Sequence, residues 1–124
     1  MRFTGDDTWT LLFPDMFAHT HALPSFNVHD LHTVDKEVEA RLLLDLARHD
    51  WDVCIAHVLG VDHVGHVYGP SHPEMARKLA QMDKLIDRVV EALPDNTLLV
   101  VLGDHGMTRD VCISTPIKAC CHTL

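Results

Sequence analysis

Hydrophobic positions recur at helical spacing in two stretches and run unbroken in two others. Val34, Val38, Leu42 and Leu46 form an i, i+4 stripe that Leu43 and Leu44 widen, so the pattern predicts a helix over 34–48 with Thr33 as its cap. Met75, Leu79, Met82, Ile86, Val89, Val90 and Leu93 share one face of a second predicted helix. It opens with Ser71 as N-cap, Pro73 in the first turn and Glu74 closing a capping box, and it breaks at Pro94-Asp95-Asn96. The apolar runs at 51–59 and 97–102 are β-rich and stop at Gly60 and Gly103, the signature of strands buried on both faces. Strand, helix, strand makes residues 51–102 a βαβ unit, and the fold class is α/β, a parallel sheet with flanking helices. The helix at 34–48 supplies the other crossover. Residues 5–34, with Pro14, Pro24 and many polar side chains, read as irregular apart from a short helix over 8–13 capped by Asp7.

Open parallel sheets bind ligands beyond the carboxyl ends of their strands. Two glycine-softened loops are expected there, 60–69 and 103–107. The first holds Gly60-Val61-Asp62-His63-Val64-Gly65-His66 and the second is Gly103-Asp104-His105-Gly106-Met107. Each sets an aspartate and a histidine just past a strand end. With strands ~4.8 Å apart, the two pairs fall within about 5–10 Å of each other. Carboxylate and neutral imidazole are both zinc ligands, and two such pairs in one crevice suggest a binuclear centre that clamps a phosphoryl or sulfuryl group. His63 adjoins these ligands and could equally face solvent. His57, within the first strand, reads as a hydrogen-bonded core histidine, and His19, His21, His29, His32, His49, His72 and His122 as surface residues.

Composition narrows the classes. A chain of 124 residues with 47% hydrophobic and 23% charged residues is one globular domain's worth and is not disordered along most of its length. Eighteen acidic against ten basic residues, a net charge of −8, disfavour a nucleic-acid partner. No apolar run reaches the ~18–20 residues of a membrane span, and the first residues do not form a signal peptide. Cys54, Cys112, Cys120 and Cys121 lack zinc-finger spacing. Phosphate-binding loops, dinucleotide fingerprints, nucleophile elbows and H-E-x-x-H helices are absent from the sequence.

Longer strings then become recognisable. They are Gly5-Asp6-Asp7-Thr8-Trp9, Leu12-Phe13-Pro14, residues 25–35, Gly60-Val61-Asp62-His63-Val64-Gly65-His66, residues 69–75 and Gly103-Asp104-His105-Gly106-Met107-Thr108. Together they resemble the GPI ethanolamine-phosphate transferases, nearest to the PIG-O type that modifies the third mannose. The resemblance covers residues 3–108. It implies a partial alkaline-phosphatase-like domain facing the lumen of the endoplasmic reticulum. Such a domain transfers ethanolamine phosphate from phosphatidylethanolamine to a mannose hydroxyl of the GPI precursor glycolipid through a phospho-threonine. It further implies two divalent metals, zinc in the family, with Asp62 and His66 holding one and Asp104 and His105 the other. Membrane spans elsewhere in the protein and a PIG-F-type membrane partner belong to the same expectation.

The chain also departs from the family. The family's first metal-binding aspartate and its nucleophilic threonine lie upstream of Gly5, and neither Thr8 nor Thr33 matches that threonine. After Thr108 the sequence leaves the pattern, and the further histidine of the family is missing. His29 and His32 stand where arginine and aspartate are expected. Residues 1–108 are therefore expected to be the later part of a catalytic domain, truncated at both ends and inactive alone, with 109–124 an unrelated, disordered tail. The other readings are a non-catalytic fragment with a partial metal site, and a phosphodiesterase or sulfatase of the same superfamily. Residues 25–35 favour the transferases.

Overall fold

The computed structural model describes residues 1–25 and 27–108, so the expected tail at 109–124, with Cys112, Cys120, Cys121 and His122, lies outside the described residues. The chain is α/β. Strands β1 (Arg2–Asp6), β2 (His19–Leu23) and β3 (Cys54–Ala56) form a parallel sheet in the order β2-β1-β3. Arg2 lies opposite both His19 and Cys54, and Asp6 opposite Leu23. Helices α1 (Thr8–Leu12), α2 (Thr33–Leu46), α3 (Gly60–Tyr68) and α4 (Pro73–Ala92) connect and flank the strands.

The central strand is one that polarity alone conceals. All five residues of β1 are buried although Arg2, Thr4 and Asp6 are polar. Arg2 is satisfied by Asp45 Oδ1 at 3.2 Å and by a two-pronged contact to Asp50 at 3.0 and 2.8 Å. Phe3, between them, stacks on Phe17 with ring centroids 4.9 Å apart and meets Trp9 at 6.0 Å. The stretch read as irregular, 5–34, therefore contains all of β2 and the last two residues of β1.

The helix over 34–48 is α2, with Val34, Val38, Leu42 and Leu46 all buried as the stripe requires. Its first turn is capped by Asp30 Oδ1, which accepts from the His32 and Thr33 amides at 3.1 and 2.9 Å, rather than by Thr33 itself. Leu42 and Leu46 pack with Leu85 and Val89 of α4 into the main core, which Trp51, Cys54 and Met82 extend. The buried seam of α4 runs Met75, Lys78, Leu85, Val89, whereas Leu79 and Val90 are about half exposed. The helix is rotated from the predicted face because Lys78 turns inward to meet an acid on α2. His72 rather than Ser71 is the N-cap of α4, its Nδ1 accepting from the Glu74 amide at 3.2 Å. Asp7 does precede α1, but its carboxylate serves Ser25 instead of the helix amides.

Two further expectations change. The strand read over 51–59 shortens to Cys54–Ala56, and the loop read over 60–69 is mostly helix α3. Residues 97–102 join no strand among the described residues, so the βαβ unit at 51–102 is not closed there; Leu98, Val100, Val101 and Leu102 are exposed. A strand needs a hydrogen-bonding neighbour, and among the described residues 97–102 pairs with neither edge strand, β2 or β3.

Candidate metal centre at the carboxyl edge of the sheet

Helix α3 starts four residues beyond β3 and carries Asp62 and His66 one turn apart. Its sequence, Gly60-Val61-Asp62-His63-Val64-Gly65-His66, has two glycines and no local side-chain cap. The cap comes from α2. Asp35 Oδ1 accepts from the Leu59 and Gly60 amides, both at 3.0 Å, placing a carboxylate at the positive end of the helix. Its other oxygen is 3.1 Å from Lys78 Nζ, and both side chains are nearly inaccessible to water. Lys78 Nζ also donates to the Leu31 carbonyl and meets His32 Nδ1 at 3.0 Å. On the next residue after Asp62, buried His63 places Nδ1 2.8 Å from the Asp30 carbonyl. Residues 30–35 thus clamp α3 at two points, which gives that stretch a physical role and settles His63 as an anchor facing inward.

The segment 103–107 reaches the same edge. Met107 packs against the bare face of Gly65; a Cβ built there would lie 1.8 Å from its Sδ. That close approach brings His105 Nε2 to 3.7 Å from Asp62 Oδ1 and 3.8 Å from Asp104 Oδ2. His66 Nε2 lies 3.3 Å from the same Asp62 oxygen. All four residues expected in the site, Asp62, His66, Asp104 and His105, therefore meet in one connected cluster. Asp62 Oδ1 is buried and has no hydrogen-bond partner among the described residues. A buried carboxylate oxygen left without a donor is costly.

Sequence reasoning left one dyad out of this cluster. Asp6 ends β1 and His57 follows β3, so adjacent strands bring them together at the carboxyl edge. His57 Nδ1 is 2.9 Å from Asp6 Oδ1, and His57 Nε2 is 3.9 Å from Asp104 Oδ2. The signal available in the sequence was position: an acid and a histidine at the ends of two runs.

The electrostatics follow the geometry. The His105 pKa is raised, first because its Nδ1 donates to the Gly106 carbonyl at 3.0 Å, then because the carboxylates of Asp104 and Asp62 favour the cation. As donors, two carboxylates and two imidazoles are the set that zinc accepts. Two ligands of a tetrahedral zinc stand roughly 3.3 Å apart, since each bond is about 2.0–2.1 Å. The Asp62–His66 pair meets that separation, and the 3.7 and 3.8 Å pairs need draw in by only a few tenths. Among the described residues no three histidine, cysteine, aspartate or glutamate side chains are already gathered around one cation position; the donors meet in pairs.

Comparison with known proteins places the chain in a family. The human GPI ethanolamine phosphate transferase 3 catalytic subunit is 58% identical over 108 residues, covering 87% of this chain and 10% of that protein. GPI ethanolamine phosphate transferase 3 of Schizosaccharomyces pombe is 51% identical over 105 residues, 83% of this chain and 11% of its own. The human transferase 2 catalytic subunit is 42% identical over 114 residues, 86% and 12% respectively. The chain thus spans about a tenth of the length of these curated relatives. No solved structure matches it. The model of the type I phosphodiesterase / nucleotide pyrophosphatase family matches residues 6–118, and the chain belongs to that family.

Proposed function

We propose that this chain is part of a metal-dependent transferase that moves ethanolamine phosphate from phosphatidylethanolamine to a mannose, the third, of the GPI precursor. The observation that carries the reading is the buried Asp62 Oδ1, without a hydrogen-bond partner among the described residues, with His66 Nε2 3.3 Å and His105 Nε2 3.7 Å from it. Asp62 and His66 would hold one divalent cation, and Asp104 and His105 the other, zinc in both positions. When bound, the metals would polarise the phosphoryl oxygens and activate the attacking hydroxyl. The chain's own residues do the rest. Asp35 and Lys78 fix the first turn of α3, the Asp30 carbonyl holds the neighbouring His63, and Met107 against Gly65 keeps the two donor pairs in register.

The site belongs to a protein at the endoplasmic reticulum membrane with a PIG-F-type partner. The names of the relatives, GPI ethanolamine phosphate transferases, support the place in GPI synthesis, and none of the described helices is long and apolar enough to cross a membrane. Neither Thr8 nor Thr33, the first residues of α1 and α2, belongs to the donor cluster among the described residues, and a transfer through a phospho-enzyme requires a nucleophile. With zinc added, the chain is expected to hydrolyse no generic phosphodiester; turnover lost in Asp104→Ala would overturn that statement. The function is tested by grafting. The 105 matching residues of the S. pombe transferase are replaced by those of this chain, and ethanolamine phosphate transfer is measured in cells that lack the native protein. The graft should restore transfer, and Asp62→Ala or Asp104→Ala grafts should not. Retained transfer in either variant refutes the assignment.

A further inference from the structure

We propose that His57 is an additional metal-facing residue, presented by Asp6 so that its Nε2 and the Asp104 carboxylate hold a divalent cation between them; this rests on the two-metal reading above. His57 follows β3 and is fixed on three sides. Its amide donates to the Thr4 carbonyl at 2.9 Å, tying its backbone to the central strand. Its Nδ1 faces Asp6 Oδ1 at 2.9 Å, and Asp6 is itself buried. Its ring meets the edge of Trp9 with centroids 5.8 Å apart at 61°. Gly5 makes the approach possible, since a Cβ on it would lie 2.8 Å from the Cβ of His57.

A carboxylate accepts and does not donate, so the Asp6 contact assigns the ring proton to Nδ1 and leaves the Nε2 lone pair free. That lone pair faces Asp104 Oδ2 at 3.9 Å. Two donors can bridge one zinc only if they lie within about 4.1 Å, twice the usual bond length, and this pair does. An imidazole that ligates a metal through one nitrogen commonly gives its other N–H to a carboxylate, which fixes its tautomer and orientation. Asp6–His57–Asp104 has that order of parts. Nothing in the packing of β3 requires it: the ring is about a quarter exposed, and its outer nitrogen has no hydrogen bond among the described residues.

The test uses the full chain and zinc alone. Histidine side-chain nitrogens are followed by two-bond proton–nitrogen correlation while zinc is added. The expected result is a shift of His57 Nε2 together with those of His66 and His105, with His57 Nδ1 keeping its proton. In parallel, zinc affinity is measured by competition with a chromophoric chelator. Affinity should fall at least tenfold in His57→Ala and His57→Gln, and between ten- and a hundredfold in Asp6→Asn. Far-UV circular dichroism confirms that each variant is folded. If His57 Nε2 stays in place while His66 and His105 shift, or if both His57 variants bind as the parent does, the inference is overturned and the two-metal reading survives. If none of the three histidines responds to zinc, the two-metal reading falls, and this inference with it.

Discussion

Replacing Lys78 by methionine isolates the clamp that holds α3. In the native chain Lys78 Nζ meets Asp35 Oδ2 at 3.1 Å and His32 Nδ1 at 3.0 Å and donates to the Leu31 carbonyl, with 1% of its side chain exposed. Lys78→Met fills similar volume but leaves the Asp35 charge buried without its counter-ion, a loss that costs about 3–5 kcal/mol in comparable settings. For a domain of this size that corresponds to roughly 10–20 °C in Tm. A second substitution separates charge from hydrogen bonding. Asp35→Asn keeps a side-chain oxygen able to accept from the Leu59 and Gly60 amides without carrying a charge. The double variant Asp35→Asn/Lys78→Met should therefore recover at least half of the loss. Asp35→Leu/Lys78→Met, which removes the charge and the acceptor together, should remain down by about 2 kcal/mol for two helix amides left without a partner. Thermal and urea unfolding followed by circular dichroism give all four values. A cost under about 1 kcal/mol for Lys78→Met, or equal stability of the two double variants, would refute the clamp as described.

Three more outcomes follow from the geometry. Gly65→Ala sets a Cβ 1.8 Å from Met107 Sδ, and because the end of a methionine can swing aside, the fold should lose no more than about 1 kcal/mol while zinc affinity falls roughly tenfold; unchanged affinity by chelator competition would show that Met107 does not align the donors. Asp30→Ala removes the acceptor of two helix amides and should cost about 1 kcal/mol at pH 7. The amides of Thr33 and His32 lower the Asp30 pKa, so its stabilisation is present above the ordinary carboxylate range and lost as pH falls through the depressed value; parent and variant stabilities should converge near pH 2, and a gap that persists there would count against the cap. Burial, with the Asp45 carboxylate adding to it, pushes the Cys54 thiol up to about 11. With the other three cysteines changed to serine, iodoacetamide should label folded Cys54 slowly at pH 8, with the rate rising at a midpoint near 11 and not near 9.

What the pattern of residues reveals and what it hides divide along a physical line. Val34, Val38, Leu42 and Leu46 announced α2 because their spacing is a property of one helix. That Asp62, His66, Asp104 and His105 lie close together was legible because their short strings follow apolar runs, and in parallel sheets the loops past the strands gather at one edge. Interactions between distant segments were not legible. Arg2, Thr4 and Asp6 look like loop residues until Asp45, Asp50 and His57 arrive from more than forty positions away to satisfy two of them. The α3 sequence looks like a loop because its cap, Asp35, is 25 residues upstream of Gly60. Lys78 looks like a surface residue of α4 because its partner is on α2. Each of these is a polar group whose burial is tolerated only through a remote partner, so a reading that scores residues by local polarity places them outside.

The same polar contacts link the fold to the site. Asp6 ends the central strand and orients His57; Asp35 joins α2, α3 and α4 and sets the helix that carries Asp62; Met107 brings Asp104 and His105 onto that helix. Buried charge is a weak source of net stability, because desolvation offsets most of the Coulomb gain. Its contribution here is placement. Apolar packing of Leu42, Leu46, Leu85 and Val89 holds α2 against α4 without specifying their register to a fraction of an ångström. A metal centre needs donors placed to within about half an ångström. Directional contacts such as those of Asp35 and Asp6 supply that accuracy. Substitutions at these two positions should therefore impair zinc binding by more than their effect on Tm accounts for, whereas truncation of Leu85 should lower Tm and leave the affinity of the folded fraction unchanged.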